Sequence, residues 1–399
     1  MRYCPALLVC VACLTSSRIL LAEPAHLPKT DRIPVLAWSA IPQSQTSDAR
    51  YRELADCGFT IGYSSFSNVK EATKALDAAH SAGGQVLVSL SQLATDPRGT
   101  VLPLMNHPGL AGYYIRDEPP VSDFANEAKL IDQIRAVDRD HLIYVNLLPD
   151  YATPDQTGVP TYPEYVNRFV ATVPSSFLSF DYYPIEGRTV RASWYSNLGI
   201  IADAARKANK PFWAFALSLR HFAYPTATIE NLREEVYSDL AYGAQGIEYF
   251  TYWKPGFDSG DSPIDGNGNR TAVYDRVKQM NLEIRALSPV FLGSHVESLG
   301  HTGAHIPSGT TPYHLASPLM SLKTEGDGAI VTVLARDKHR FLIVVNRDFQ
   351  HSMPTAIEFE QGKPVQRVGK DATLHPLDGS AQRVNVDPGD ALIFTWSVP

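Results

Sequence analysis

Between Ile33 and Leu287 the chain repeats one unit: a short apolar run that reads as a strand, then a stretch with helical spacing. The first run is Ile33-Pro34-Val35-Leu36-Ala37-Trp38, and seven more follow at 59–64, 85–91, 111–117, 141–147, 177–183, 211–219 and 246–253. Helical spacing falls at 48–57, 68–82, 123–137, 163–173, 194–209, 228–242 and 271–287, with glycine commonly closing a helix just before the next strand. Eight strands alternating with helical stretches in about 260 residues match a single (β/α)8 TIM barrel. A doubly wound open sheet would need a glycine-rich phosphate turn after its first strand, and Trp38-Ser39-Ala40-Ile41-Pro42 has none.

From about Gly293 the rhythm changes to short alternating runs at 329–335, 340–346, 355–360, 364–368 and 391–396. Turn residues separate them, among them Gly326-Asp327-Gly328, Asp378-Gly379 and Pro388-Gly389-Asp390, and no helical stretch intervenes. This predicts a C-terminal antiparallel β-sandwich packed against the barrel. At the other end, Arg2, the apolar run from Pro5 to Leu14 and the small residue Ala22 before Glu23-Pro24 predict an export signal. The expected organisation is a signal peptide at 1–22, a barrel domain at 23–290 and a sandwich at 291–399.

Three of the four cysteines, Cys4, Cys10 and Cys13, fall in the signal, which leaves Cys57 alone in the mature chain and rules out an internal disulfide. Val11-Ala12-Cys13 half matches a lipid-attachment box. No later apolar run reaches the eighteen or so residues of a membrane helix. The expected destination is secreted or periplasmic, soluble or tethered by lipid at Cys13. Net charge is -7 and no Lys/Arg cluster is present to track a phosphate backbone, so nucleic acid is not an expected partner.

The chemistry concentrates at Gly109-Leu110-Ala111-Gly112-Tyr113-Tyr114-Ile115-Arg116-Asp117-Glu118-Pro119-Pro120. An apolar strand runs into two adjacent carboxylates, and two prolines then stop it, so the acids stand at its C-terminal tip. In a (β/α)8 barrel that tip opens on the face that carries active sites. Glycosidic bond cleavage needs two acids: one protonates the leaving oxygen, and the other attacks the anomeric carbon or activates water. Strand six, Phe177-Leu178-Ser179-Phe180-Asp181-Tyr182-Tyr183-Pro184, supplies one partner, because alternation puts Ser179, Asp181 and Tyr183 on the face opposite Leu178 and Phe180. Strand eight offers Glu248 as a reserve. An unbroken strand to Trp253 would place it roughly 16 Å below the rim.

Ile115-Arg116-Asp117-Glu118-Pro119 resembles the Asn-Glu-Pro signature at the end of strand four in the large clan of barrel glycoside hydrolases that includes the β-galactosidases and cellulases. The resemblance implies Glu118 as general acid/base, with Asp117 in the place of the Asn that binds a sugar hydroxyl. Barrel, aromatic strand ends and C-terminal sandwich extend the likeness over nearly the whole mature chain. It departs at strand seven, where the clan carries its nucleophilic Glu and Phe212-Trp213-Ala214-Phe215-Ala216-Leu217-Ser218-Leu219 carries no acid.

The expected catalytic residues are therefore Glu118, Asp181 and Glu248. Asp117, Trp38, Tyr63, Asn146, Tyr183, Trp213 and Trp253 are expected to bind a carbohydrate substrate, and His221 is a further polar contact or a structural residue. The alternative is a non-hydrolytic glycan-binding protein on a barrel scaffold, motivated by the missing strand-seven acid. No cofactor is expected. Asp265-Gly266-Asn267-Gly268-Asn269 begins like a calcium loop, but Arg270 and Arg276 stand where the turn glycine and the bidentate Glu belong, so it reads as a tight turn and no metal is expected. His-Glu-x-x-His, Gly-x-Ser-x-Gly and phosphate-loop motifs are absent from the sequence.

Overall fold

A computed structural model describes Met1, Ala25–His26 and residues 31–398. The signal segment, with Cys4, Cys10 and Cys13, otherwise lies outside the described residues. Eight parallel strands close into a barrel: β1 (Val35–Ala37), β2 (Ile61–Phe66), β3 (Gln85–Leu90), β4 (Leu110–Asp117), β5 (Leu142–Leu147), β6 (Leu178–Phe180), β7 (Phe212–Leu217) and β8 (Gly246–Phe250). Each pairs with its neighbours in sequence, and β8 closes the ring on β1. The strands are buried on both faces, which is why they read as apolar runs with little alternation.

The outer layer is α1 (Asp48–Asp56), α2 (Val69–Ser81), α3 (Gln92–Thr95), α4 (Pro97–Val101), α5 (Phe124–Arg135), α6 (Pro154–Thr157), α7 (Tyr162–Thr172), α8 (Trp194–Lys207), α9 (Ile229–Ala241), α10 (Ala272–Ala286) and α11 (Ser288–Phe291). Side chains of Ser47, Asn68, Thr161, Thr228 and Thr271 cap α1, α2, α7, α9 and α10. After β3, where the sequence pattern marks no helical stretch, the chain forms the short α3 and α4, because Pro97, Pro103 and Pro108 deny a longer run its backbone donors. The Asp265 turn is tight as expected: its carboxylate accepts from the backbone N–H of Asn267 and Asn269.

The C-terminal part is a sandwich of two antiparallel sheets, from β9 (His295–His301), β10 (Leu319–Thr324), β11 (Ala329–Arg336), β12 (His339–Asn346), β13 (Met353–Phe359), β14 (Gln366–Val368), β15 (Thr373–Pro376), β16 (Ala381–Val386) and β17 (Ala391–Ser397). The larger sheet has the order β15-β14-β17-β12-β11-β9, with Ala25–His26 added at the β15 edge, and the smaller is β10-β13-β16. Strands β9, β10, β15 and β16 escape the sequence pattern because each mixes polar and apolar residues on partly exposed edges.

The larger sheet is apolar on both sides. Val331, Val333, Leu342, Val344 and Phe394 face the small sheet, while Ile330, Leu334, Phe341, Ile343, Val345 and Ile393 join the core of the barrel's helical layer. Helix α9 lies at that junction and is buried over most of its length.

Candidate active site

The barrel interior is filled from the bottom by Trp213, Phe177, Leu36, Ile61 and Leu87, then by Trp38, Tyr144, Phe215, Tyr63 and Tyr114. Trp213 stacks on Phe177 with ring centroids 4.7 Å apart, and it fills the space over Gly246, where an added Cβ would lie 2.5 Å from its ring. It is the second residue of β7 and 5% exposed, so it is floor and does not reach the mouth. Trp253 leaves the interior altogether: it packs in the outer core with the Arg50 guanidinium 5.1 Å from its ring. The chain kinks out of β8 after Phe250, which takes Trp253 away from the cleft and puts Glu248 two residues from the strand end, higher than an unbroken strand implies.

Strand β4 carries the first two acids. Its register shifts against β5 between Tyr114 and Arg116, a bulge that turns Tyr114 inward onto Trp38 and Tyr63. Asp117 Oδ1 then accepts from Asn146 Nδ2 at 3.0 Å. Glu118 has φ +47, a left-handed conformation that breaks strand alternation, and its N–H donates to the Asn146 carbonyl at 2.9 Å. Two sequence neighbours thereby both face the mouth. Arg116 turns away to Asp123 at 3.0 Å.

Across the mouth, Asp181 follows β6, and alternation persists beyond the formal strand: Ser179 and Tyr183 face inward, while Leu178, Phe180 and Tyr182 face the helices. The Asp181 and Glu118 carboxyls lie close enough that each shapes the other's hold on a proton. Two close, poorly solvated carboxyls resist joint ionisation, which favours a proton on the pair. Asp181 is pushed well above the usual carboxylate range by burial first, then by the charges of Glu118 and Asp117, and its Oδ1 is sealed from solvent without a donor. Glu118 is raised by desolvation and by Asp117, and Asp117 by desolvation. Both remain open to solvent at the bottom of a cleft whose walls crowd them, so water reaches them while protein displaces most of their hydration.

Beneath the acids lies a closed polar network. Tyr144 Oη is 2.6 Å from Glu248 Oε1 and 2.7 Å from Ser179 Oγ, and Ser179 Oγ is 2.7 Å from Glu248 Oε2 and 3.0 Å from Asn146 Oδ1. The two hydroxyls own one proton each, too few to bridge these contacts. A proton on Glu248 gives three of the four a donor: Glu248 donates to Ser179, Ser179 to Asn146, and Tyr144 to Glu248. Full burial agrees, raising Glu248 to about 8 despite the hydrogen bonds from Tyr144 and Ser179 that lower it. The order fixes the Asn146 amide so that its N–H points at Asp117.

The structure thus brings together Asp117, Glu118, Asp181, Asn146, Tyr183, Tyr63 and Trp38, with Glu248 one layer below, and leaves Trp213 and Trp253 elsewhere. Sequence reasoning missed Tyr144 and Tyr114. Tyr144 was legible in the period-2 pattern of β5, where Leu142, Tyr144 and Asn146 share a face. Tyr114 depends on the bulge and was not. Also missed was the rim formed by Tyr151, Arg191 and Tyr224: the Arg191 guanidinium lies 4.3 Å from the Tyr151 ring and donates to Tyr224 Oη at 3.2 Å. His221, the undecided residue, is packed among Tyr183, Tyr224 and Phe250, with Nδ1 3.1 Å from the Leu219 carbonyl oxygen.

The closed parallel barrel with a trailing β-sandwich is a fold with counterparts among solved structures. Similar solved structures include a catalytic mutant of a GH42 β-galactosidase from G. stearothermophilus, with TM-score 0.63, 9% identity and coverage of 94% of this chain and 100% of that one. Another, described as a glycoside hydrolase, has TM-score 0.59 and 13% identity over 92% of this chain and 93% of that one. An Anoxybacillus α-amylase has TM-score 0.54 and 12% identity over 92% and 98%. No protein-family model and no curated relative match the chain. At these identities the likeness is one of fold.

Proposed function

We propose that this protein is an exported O-glycoside hydrolase in which Glu118 and Asp181 form the catalytic pair. The observation that carries the reading is the meeting of two poorly solvated carboxyls at the barrel mouth, Glu118 from the tip of β4 and Asp181 from just beyond β6, both raised above the usual carboxylate range. Separations of about 5 to 5.5 Å typify retaining enzymes and about 6.5 to 9.5 Å inverting ones. A sugar linkage that seats between the two carboxyls parts them further. Once they part, Glu118, on the open β4 tip beside Asp117, takes the proton and delivers it to the leaving oxygen as general acid. Asp181 is left ionised facing the anomeric carbon, where developing positive charge compensates its burial, and acts as nucleophile or base.

Asp117 accepts a hydroxyl of the bound sugar while Asn146 holds it in place. Glu248 stays neutral and positions Asn146 through Ser179, so the missing strand-seven acid is replaced by Asp181 from β6. Tyr183, Tyr63 and Trp38 line the cleft.

Aryl glycosides with good and poor leaving groups test these roles. Glu118→Gln should lower kcat/KM by about 10²–10⁴ on poor leaving groups and far less on activated ones, while Asp181→Asn should abolish turnover of both. The reverse pattern would exchange the roles. An unmutated protein that binds glycans and cleaves none across a broad panel would leave only the glycan-binding alternative.

A further inference from the structure

We propose that Phe222 and Phe257 form a stacking platform for a sugar ring lying beyond those at the cleaved bond, so that the substrate is a glycan chain. The proposal rests on the placement of the cleaved linkage between Glu118 and Asp181.

Phe222 is 89% exposed, more than any other Phe, Tyr or Trp described, and Phe257 is 43% exposed. Phe222 also sits at φ +46, within a turn closed by Tyr224 N–H donating to the His221 carbonyl at 2.9 Å. A bulky residue there is strained, and glycine is the residue such a turn ordinarily selects. The chain therefore keeps an aromatic ring where both solvation and backbone sterics oppose it. Strain of this kind collects where a side chain must be presented to a ligand.

The rings are held in relation to each other and to the acids. His221 lies between them, with centroids 5.4 Å from Phe222 and 6.0 Å from Phe257. Arg220 ties the two loops through its backbone: its N–H donates to the Asp261 carbonyl at 3.2 Å, and its carbonyl accepts from Gly260 at 2.7 Å. His221 packs on Tyr183 at 6.2 Å, and Tyr183 stands two residues beyond Asp181. An aromatic wall thus runs from the catalytic pair to Phe222.

The surroundings select the occupant. Exposed Arg220, Asp258 and Asp261 flank the rings, so the apolar area is two isolated faces set among charged groups. A protein interface needs contiguous apolar surface. A pyranose presents an apolar face to stack on an aromatic ring and equatorial hydroxyls for charged neighbours to bond.

Native gels containing laminarin, galactomannan, arabinoxylan or carboxymethylcellulose test the platform without turnover. The unmutated protein should be retarded by at least one of them. Phe222→Gly, which relieves the φ +46 strain, should melt at the same or a higher temperature yet lose about tenfold in affinity for that polymer; Phe257→Ala should also weaken it, and Phe222→Trp should retain it. Equal retardation of Phe222→Gly and the unmutated protein overturns the proposal, as does absence of retardation by every polymer. A change in sedimentation coefficient with unchanged retardation also overturns it, assigning the rings to self-association. Retardation that depends on Phe222 in a protein that cleaves nothing supports the platform while sinking hydrolysis, so the two readings fail separately.

Discussion

Glu118 is aimed by its backbone. A left-handed φ on a residue with a side chain costs about 1–3 kcal/mol, and here it allows two consecutive acids to serve one cleft. Beneath it, Glu248 acts as a neutral acid, and a titration follows. A carboxyl raised to about 8 on folding gives stability that is full below its ordinary value of 4.5 and is lost as pH rises through the folded value. Glu248→Gln keeps the donor to Ser179 and the acceptor for Tyr144, so it should fold normally and lose less stability between pH 5 and pH 9 in thermal melts. Glu248→Leu strands Tyr144, Ser179 and Asn146 and should cost about 1–3 kcal/mol or more. An alkaline slope unchanged by Glu248→Gln would mean that the acid is ionised in the fold. At this scale the sequence was most informative: prolines marked the tip at Glu118, and alternation alone turned Asp181 inward. The partner of each acid was not legible, because it depends on which strand tips the closed barrel brings together.

At the scale of elements, β4 carries the most information per residue. Gly112 packs so close to β5 that an added Cβ would lie 2.1 Å from the Leu142 carbonyl oxygen. Backbone on that side cannot yield as a flexible side chain would, so Gly112→Ala should push the two strands apart two residues before the bulge. The expected cost is about 1–3 kcal/mol, with activity falling further than stability explains because the Asp117–Asn146 contact spans the same strand pair. Denaturant unfolding alongside kcat/KM separates the two effects, and unaltered values of both would refute the account. Existence and order of the barrel elements were readable from periodicity. Bulges, the break after β8 and the two short helices after β3 were not, since each arises from a local conflict between backbone geometry and a neighbouring strand or proline. Trp253 shows the consequence: a sound strand assignment extended three residues too far moved a tryptophan from outer core to cleft.

Across the whole molecule, the two parts are joined by charge as well as by apolar area. Arg233 pairs with Glu283 at 2.5 Å and approaches Asp390 at 3.7 Å, and Lys370 pairs with Asp390 and lies 3.8 Å from Glu283. Glu283 stays below the usual carboxylate range in spite of its burial, because Arg233 and Lys370 more than offset desolvation. Its contribution is present above the ordinary glutamate value and is lost as pH falls below it. Glu283→Ala leaves Arg233 and Lys370 to share Asp390 as their remaining carboxylate and should cost about 1–3 kcal/mol near neutral pH, the deficit shrinking in acid. A deficit independent of pH would assign the loss to packing. A C-terminal sandwich packed against the barrel was legible from its turns and alternating runs, but the faces that meet were not, because the pattern of a sheet apolar on both faces does not say what covers each.

That central sheet has a practical corollary for anyone wishing to shorten the protein. Because it belongs to two cores at once, a cut near residue 291 would separate neither half cleanly: the barrel would lose the lid over α9, and the severed sheet would present Phe341, Ile343 and Ile393 to water.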